Sequence, residues 1–158
     1  MNAGVIARRY ATTLLKYVAE TGRGAEVYAQ VRLLLKDPDA APKPLSEDLE
    51  KFVALLVRNG RMPMVRRIFL SFLQQYEARE GIHIARLKTA VDSPELQEKL
   101  QRVLAEKIGG TVEFTTEVDP SLIGGFVLEV DDRRLDASVS RQLADIRRKL
   151  IEKNKRIV

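Results

Sequence analysis

The chain has 158 residues, 45% of them hydrophobic, with a net charge of +5 and no cysteine. That length and apolar content can bury a core in one domain or two small ones, while the missing cysteines exclude a disulfide framework and thiolate metal sites, and a lone histidine, His83, excludes a histidine-rich metal cluster. The positive balance permits attraction to nucleic acid, anionic lipid or an acidic protein. Basic residues do gather at Arg66-Arg67 and from Arg147 to Arg156, but acidic residues are interleaved through most helices, and aromatic residues make up only 6%.

Residues 1 to 20 read as a helix with a wide apolar band, in which Ile6, Tyr10, Leu14 and Tyr17 form one stripe with Ala7, Ala11, Leu15 and Val18 beside it. A band of that width suggests contacts on two sides. Arg8, Arg9 and Lys16 interrupt it, unlike a secretory signal, and no run approaches the roughly 20 apolar residues that span a bilayer. A soluble chain in a reducing compartment is the expectation. After Gly22 and Gly24, a second helix carries Val27, Val31, Leu34 and Leu35 and stops at Asp37-Pro38. Residues 37 to 45 hold three prolines and read as an extended linker.

Ser46 is placed to cap a third helix, with Leu49, Phe52, Val53 and Leu56 facing a core and Asn59-Gly60 supplying its left-handed end. Pro63 opens a fourth, where Val65, Ile68, Phe69, Phe72, Leu73 and Tyr76 recur at helical spacing until Glu80-Gly81. From Ile82 the period becomes two: Ala85, Leu87, Thr89 and Val91 share a face, as do Val112, Phe114, Thr116 and Val118. Between these strands Ser93-Pro94 starts a helix with Leu96, Leu100, Val103, Leu104 and Ile108 on its stripe, ended by Gly109-Gly110. The reading is therefore α+β: an N-terminal helical bundle over residues 1–80, then a small C-terminal α/β domain over 81–158, ordered strand, helix, strands, helix.

The end of the chain is its most specific part. Asp119 and Pro120 set a turn, and Gly124-Gly125 marks a kink at the start of strand Phe126–Val130. Asp131-Asp132 turns the chain, Arg133–Leu135 returns it, and Asp136-Ala137-Ser138 caps a basic helix with Val139, Leu143, Ile146 and Leu150 at apolar spacing. The run V-D-P-S-L-I-G-G-F followed by L-D-A-S and this helix resembles the C-terminal signature of the delta subunit of F-type ATP synthases, the family of the oligomycin-sensitivity-conferring protein. Ile6 to Leu15, with A-R-x-Y-A intact, is similar to the family's opening helix, and Phe52 to Arg61 is similar to its apolar helix ending in N-G-R.

The resemblance implies a non-catalytic peripheral-stalk subunit of a proton-translocating complex that clamps the catalytic head to the stator and resists its rotation. It implies no catalytic residue, no metal and no cofactor. By the same resemblance, alpha subunits of the head dock through the N-terminal bundle, b subunits through the C-terminal domain, and the protein sits peripherally on the cytoplasmic face of the bacterial inner membrane. A groove would have Ala7, Tyr10, Ala11 and Leu14 on the first helix, opposed by Leu55 and Asn59, although helical spacing fits bundle core equally well for each. Asp119, Pro120, Gly124, Gly125, Asp136 and Ser138 read as structural signature positions. Three departures stand out: the segment between Leu35 and Leu49 is short, so a helix of the family's six-helix bundle is missing from the pattern, Ala137 replaces the usual glycine, and Asp131 stands where a small residue is common. The rival is a basic RNA-binding or other interaction module using the last helix, tested by salt-sensitive RNA affinity, although a G-x-x-G clamp is absent. A hydrolase would need paired carboxylates, and the acidic residues lie in caps, turns and charged helix faces.

Overall fold

The first helix, α1 (Ala3–Thr21), begins where the Asn2 side chain accepts a hydrogen bond from the Gly4 N–H at 3.1 Å, satisfying one of the donors that every helix start leaves free. It is followed in the computed structural model, which describes residues 2–155, by α2 (Gly24–Lys36), α3 (Glu47–Arg58), a 3-10 turn (Met62–Met64) and α4 (Val65–Glu80). Then come β1 (Ile82–Thr89), α5 (Pro94–Ile108), β2 (Thr111–Val118), a second 3-10 turn (Pro120–Leu122), β3 (Phe126–Val130), β4 (Arg133–Asp136) and α6 (Val139–Lys155). The chain divides between Glu80 and Gly81 into two compact units. Six helices and one four-stranded sheet make the fold α+β.

In the first unit, α1 buries Ala7, Ala11, Leu14 and Val18, a stripe one turn apart that packs chiefly against α4, whose buried side chains are Ile68, Phe69, Phe72 and Tyr76. Tyr28 of α2 joins them: its ring stacks on Tyr76 at 4.7 Å and its hydroxyl donates to Glu77 at 3.0 Å. α3 adds Leu49, Phe52 and Leu56. Asp48 is also buried, and it is compensated by a 2.6 Å bond from the Thr21 hydroxyl and by Arg23 at 3.8 Å. A buried carboxylate without such partners would cost several kcal/mol on the order of its desolvation.

Several local expectations are corrected. Ser46 does not cap α3; its backbone N–H is held by Gln30 Oε1 at 2.9 Å, and the helix start is instead favoured by Glu47, Asp48 and Glu50 in its first turn. Ser93 likewise makes no side-chain cap on α5. Pro63 lies in the 3-10 turn, so α4 itself starts at Val65. No α-helix forms between Lys36 and Glu47, the segment read above as lacking a helix of the family pattern, and this unit has four α-helices. Gly60 at φ +64 takes the left-handed position that ends α3, while Asn59 stays at φ −89.

The second unit has strand order β2-β1-β3-β4. β1 and β2 run parallel, Ile82 opposite Thr111, as the α5 crossover between them requires; β3 is antiparallel to both β1 and β4. Both faces of β3 are covered: Leu128 aligns with Leu87 on one, and Val127 groups with Ala90 and Leu122 on the other. Ala85, Leu87 and Thr89 are buried as the alternation requires, but Val91 lies past the end of β1 and is 71% exposed. Of the apolar-face positions on β2, Val112 and Phe114 are half-buried, whereas Thr116 and Val118 face solvent.

Candidate docking surfaces

Two contacts fix how α1 lies against α3. The Asn59 side-chain amide donates to the Tyr10 hydroxyl at 3.1 Å, and the Thr21 hydroxyl donates to Asp48 at 2.6 Å. Each step along α1 is a step back along α3, so the helices are antiparallel over a span of about 16 Å at 1.5 Å per residue. Gln75 of α4 flanks the same helix, its Oε1 accepting from the Thr12 hydroxyl at 2.8 Å.

This geometry separates the proposed groove residues into two sets. Ala7, Ala11 and Leu14 are 0–3% exposed and belong to the bundle's own core, which corrects their placement on a groove wall. Small alanines at 7 and 11 let the helices approach closely, and Leu14 fills the space one turn further on. Tyr10 is half-buried with its hydroxyl on Asn59, and Leu55 is 37% exposed on α3. Tyr10, Leu55 and Asn59 thus remain as an accessible strip between α1 and α3. Tyr17 and Lys51 extend it, and the seven-residue interval from Tyr10 to Tyr17 is the sequence signal that places Tyr17 on that side.

In the second unit the signature residues make local contacts that hold the chain in its turns. Asp119 accepts from the Ser121 N–H and hydroxyl at 3.0 and 2.6 Å, and Asp136 accepts from the same two groups of Ser138 at 3.1 and 2.6 Å. These bonds to the ionised form hold both carboxyls below the ordinary aspartate range, with smaller help from Lys88 for Asp119 and from Arg141 and Arg134 for Asp136. Pro120 opens the 3-10 turn. Ser138, buried, passes the support onward by accepting from the Arg141 N–H at 3.3 Å, the cap of α6. Gly124 accepts from the Val139 N–H at 3.0 Å. Gly125 sits at φ +70, where a Cβ would collide with the Ala137 carbonyl oxygen, so glycine is required there.

From its cap α6 runs out with no fully buried residue. Leu143, Ile146 and Leu150 are 52–58% exposed, at 4-3-4 spacing from Val139. That is the spacing of a coiled-coil seam. The basic residues Arg147, Arg148, Lys149 and Lys153 accompany it; Arg156 lies outside the described residues.

The family model "ATP synthase delta (OSCP) subunit" matches residues 38–150. The chain belongs to that family. Proteins named ATP synthase subunit delta are similar over all or nearly all of it: that of Phocaeicola vulgatus is 30% identical with all of both chains aligned, and that of Desulfotalea psychrophila is 32% identical over 93% of this chain and 96% of its own. The first alignment runs over 185 positions against 158 residues here, so the relative has segments that this delta-family chain lacks. A chain in the structure of the Toxoplasma gondii mitochondrial ATP synthase hexamer shares the fold, with a TM-score of 0.66 at 20% identity over 92% of this chain and 97% of the other.

As a delta-family member the chain is a structural, non-catalytic subunit of the ATP synthase peripheral stalk, part of a complex peripheral to the membrane on this subunit's side. No helix among the described residues is long and apolar enough to cross a bilayer, and no group of three or more acidic or histidine side chains gathers there to hold a metal ion. His83 is tied up locally: its Nδ1 lies 2.7 Å from Asp131 Oδ2, and Asp131 Oδ1 accepts from the Ile84 N–H, pinning the β3–β4 turn to β1.

Proposed function

We propose that this subunit links the catalytic head to the b subunits of the stator on the cytoplasmic face of a bacterial inner membrane, and so keeps the head from turning with the rotor. In this reading the strip between α1 and α3 receives an N-terminal helix of an alpha subunit, and the C-terminal unit holds the b subunits. The observation that carries the first half is the Tyr10–Asn59 pair: an aromatic ring and an amide held in place at an accessible seam, beside the exposed Leu55. Helix-in-groove binding asks for such a seam, with apolar area for affinity and a polar edge for register. The apolar stripe of α6 supports the second half, since a helix with seam-like spacing and no cover within its own unit suits a helical partner.

The test is a fluorescence-anisotropy titration against a labelled peptide from the N-terminus of the cognate alpha subunit. Saturable binding is expected, weakened at least about tenfold by Tyr10→Asp, which costs about 1.4 kcal/mol of binding, while circular dichroism shows the variant folded. An unfolded Tyr10→Asp would assign Tyr10 to the core. No peptide binding, together with salt-sensitive binding of an unrelated RNA, would favour the basic-module reading instead.

A further inference from the structure

The charges of the first unit are segregated along the α1–α3 strip. Residues 2–19 and 51–76 contain no aspartate or glutamate, but hold Arg8, Arg9, Arg58, Arg61, Arg66 and Arg67. The fold brings these six to one end. Arg8 and Arg9 directly precede Tyr10, whose hydroxyl holds Asn59; Arg58 and Arg61 flank Asn59; and Arg66 and Arg67 open α4 just beyond the 3-10 turn. The opposite end, where Thr21 meets Asp48, carries Glu20, Glu47, Asp48 and Glu50.

The two ends differ in how far they are neutralised. Glu47 pairs with Lys51 and Arg23, and Asp48 with Arg23. None of the six arginine side chains forms an ion pair or a hydrogen bond among the described residues, and the Arg61 Nε is buried without a partner. An uncompensated arginine cluster at one end of an apolar seam is a receptor for carboxylate, because the guanidinium fork binds it in two parallel bonds. A guest helix adds its own polarity, with its free carbonyls and partial negative charge at the C-terminal end.

Resting on the groove reading above, we infer that the strip fixes the direction of its guest. The guest is an amphipathic helix of about three turns, the number that a span of about 16 Å accommodates, lying with its C-terminal end and its carboxylate side chains at the arginine pole and its N-terminal end toward Glu47 and Asp48. A protein helix fits better than a nucleic acid because the arginines cap one end of an apolar seam instead of tracking along it, and Tyr10 is half-buried and hydrogen-bonded rather than presented as an open stacking platform.

The experiment uses the whole chain, labelled with 15N, and the alpha-subunit N-terminal peptide carrying a nitroxide at one end or the other. A C-terminal label is expected to broaden the amides of Asn59, Gly60 and Arg61, and an N-terminal label those of Thr21, Glu47 and Asp48. The reverse pattern overturns the polarity while leaving the groove in place. Absence of binding removes the groove and the inference together. In parallel, Arg58→Glu with Arg66→Glu and Arg67→Glu, all exposed positions, is expected to weaken peptide binding by about tenfold or more at low ionic strength, with the difference shrinking in high salt. An unchanged affinity, or displacement of the peptide by a single-stranded RNA, would overturn it.

Discussion

The helices of the two units are finished to different degrees. Each of the four α-helices before Glu80 has four fully buried residues within its own unit, whereas α5 and α6 have none. The bundle closes its core internally and leaves the α1–α3 seam accessible at Tyr10, Leu55 and Asn59. The C-terminal unit closes its sheet, through Leu87, Val127 and Leu128, but leaves α6 standing on its cap with an apolar stripe uncovered. On the function proposed above, the bundle is the rigid body and α6 the helix offered to a partner.

The largest test of this contrast sets Leu14→Ala against Leu150→Ala. Truncating the buried leucine is expected to cost about 2–5 kcal/mol through lost burial and a residual cavity, and truncating the exposed one to stay within about 0.5 kcal/mol. All four tyrosines, at 10, 17, 28 and 76, lie in the bundle, so tyrosine fluorescence in a urea titration follows that unit alone. Circular dichroism follows both. A large loss from Leu150→Ala would mean that α6 is packed after all.

Within the C-terminal unit, Gly125→Ala is expected to cost about 1–3 kcal/mol, because the positive φ is strained for a side chain and the new Cβ meets the Ala137 carbonyl. The NMR signal of His83, the lone histidine, reports that unit. A neutral result would show that the kink relaxes freely.

A smaller effect is expected from Asp136→Asn, which keeps an acceptor for Ser138 but removes the charge. The folded carboxyl titrates below its ordinary value, so its contribution is complete above about pH 4, where the unfolded carboxyl is ionised, and is lost as pH falls through the lower folded value. The variant should therefore start less stable at neutral pH and lose less on acidification to pH 3, read as urea midpoints. Equal losses in both proteins would remove Asp136 from the acid response. A small effect is also expected from Tyr10→Phe, within about 1 kcal/mol for one partly exposed hydrogen bond, which would sharpen the view that Tyr10 serves the seam more than the core.

Much of the fold was legible because its signals are local. Proline or glycine bounds each of α1 to α5, and the two Asp-x-Ser turns around Asp119 and Asp136 act over two residues. The Asp136-Ala137-Ser138 cap and the kink at Gly125 both stand where their residue types demand. The division of α1 into core and seam was not legible, because Ala7, Tyr10, Ala11 and Leu14 fit one broad helical band, and only the position of α4 and α3 decides which edge is covered. Tyr10 and Asn59 are 49 residues apart in sequence, so no local pattern announces their bond. Val91 failed as a strand residue for the opposite reason: the alternation continues past the point where β2 and β3 stop offering pairing partners.

The central claim, that this subunit couples the head to the stator, is tested most directly in proteoliposomes holding ATP synthase depleted of it. ATP hydrolysis should proceed in the subunit's absence, and ATP-driven proton pumping should return when the wild-type chain is added but only weakly with folded Tyr10→Asp. Full pumping without the subunit, or full restoration by Tyr10→Asp, would contradict the account.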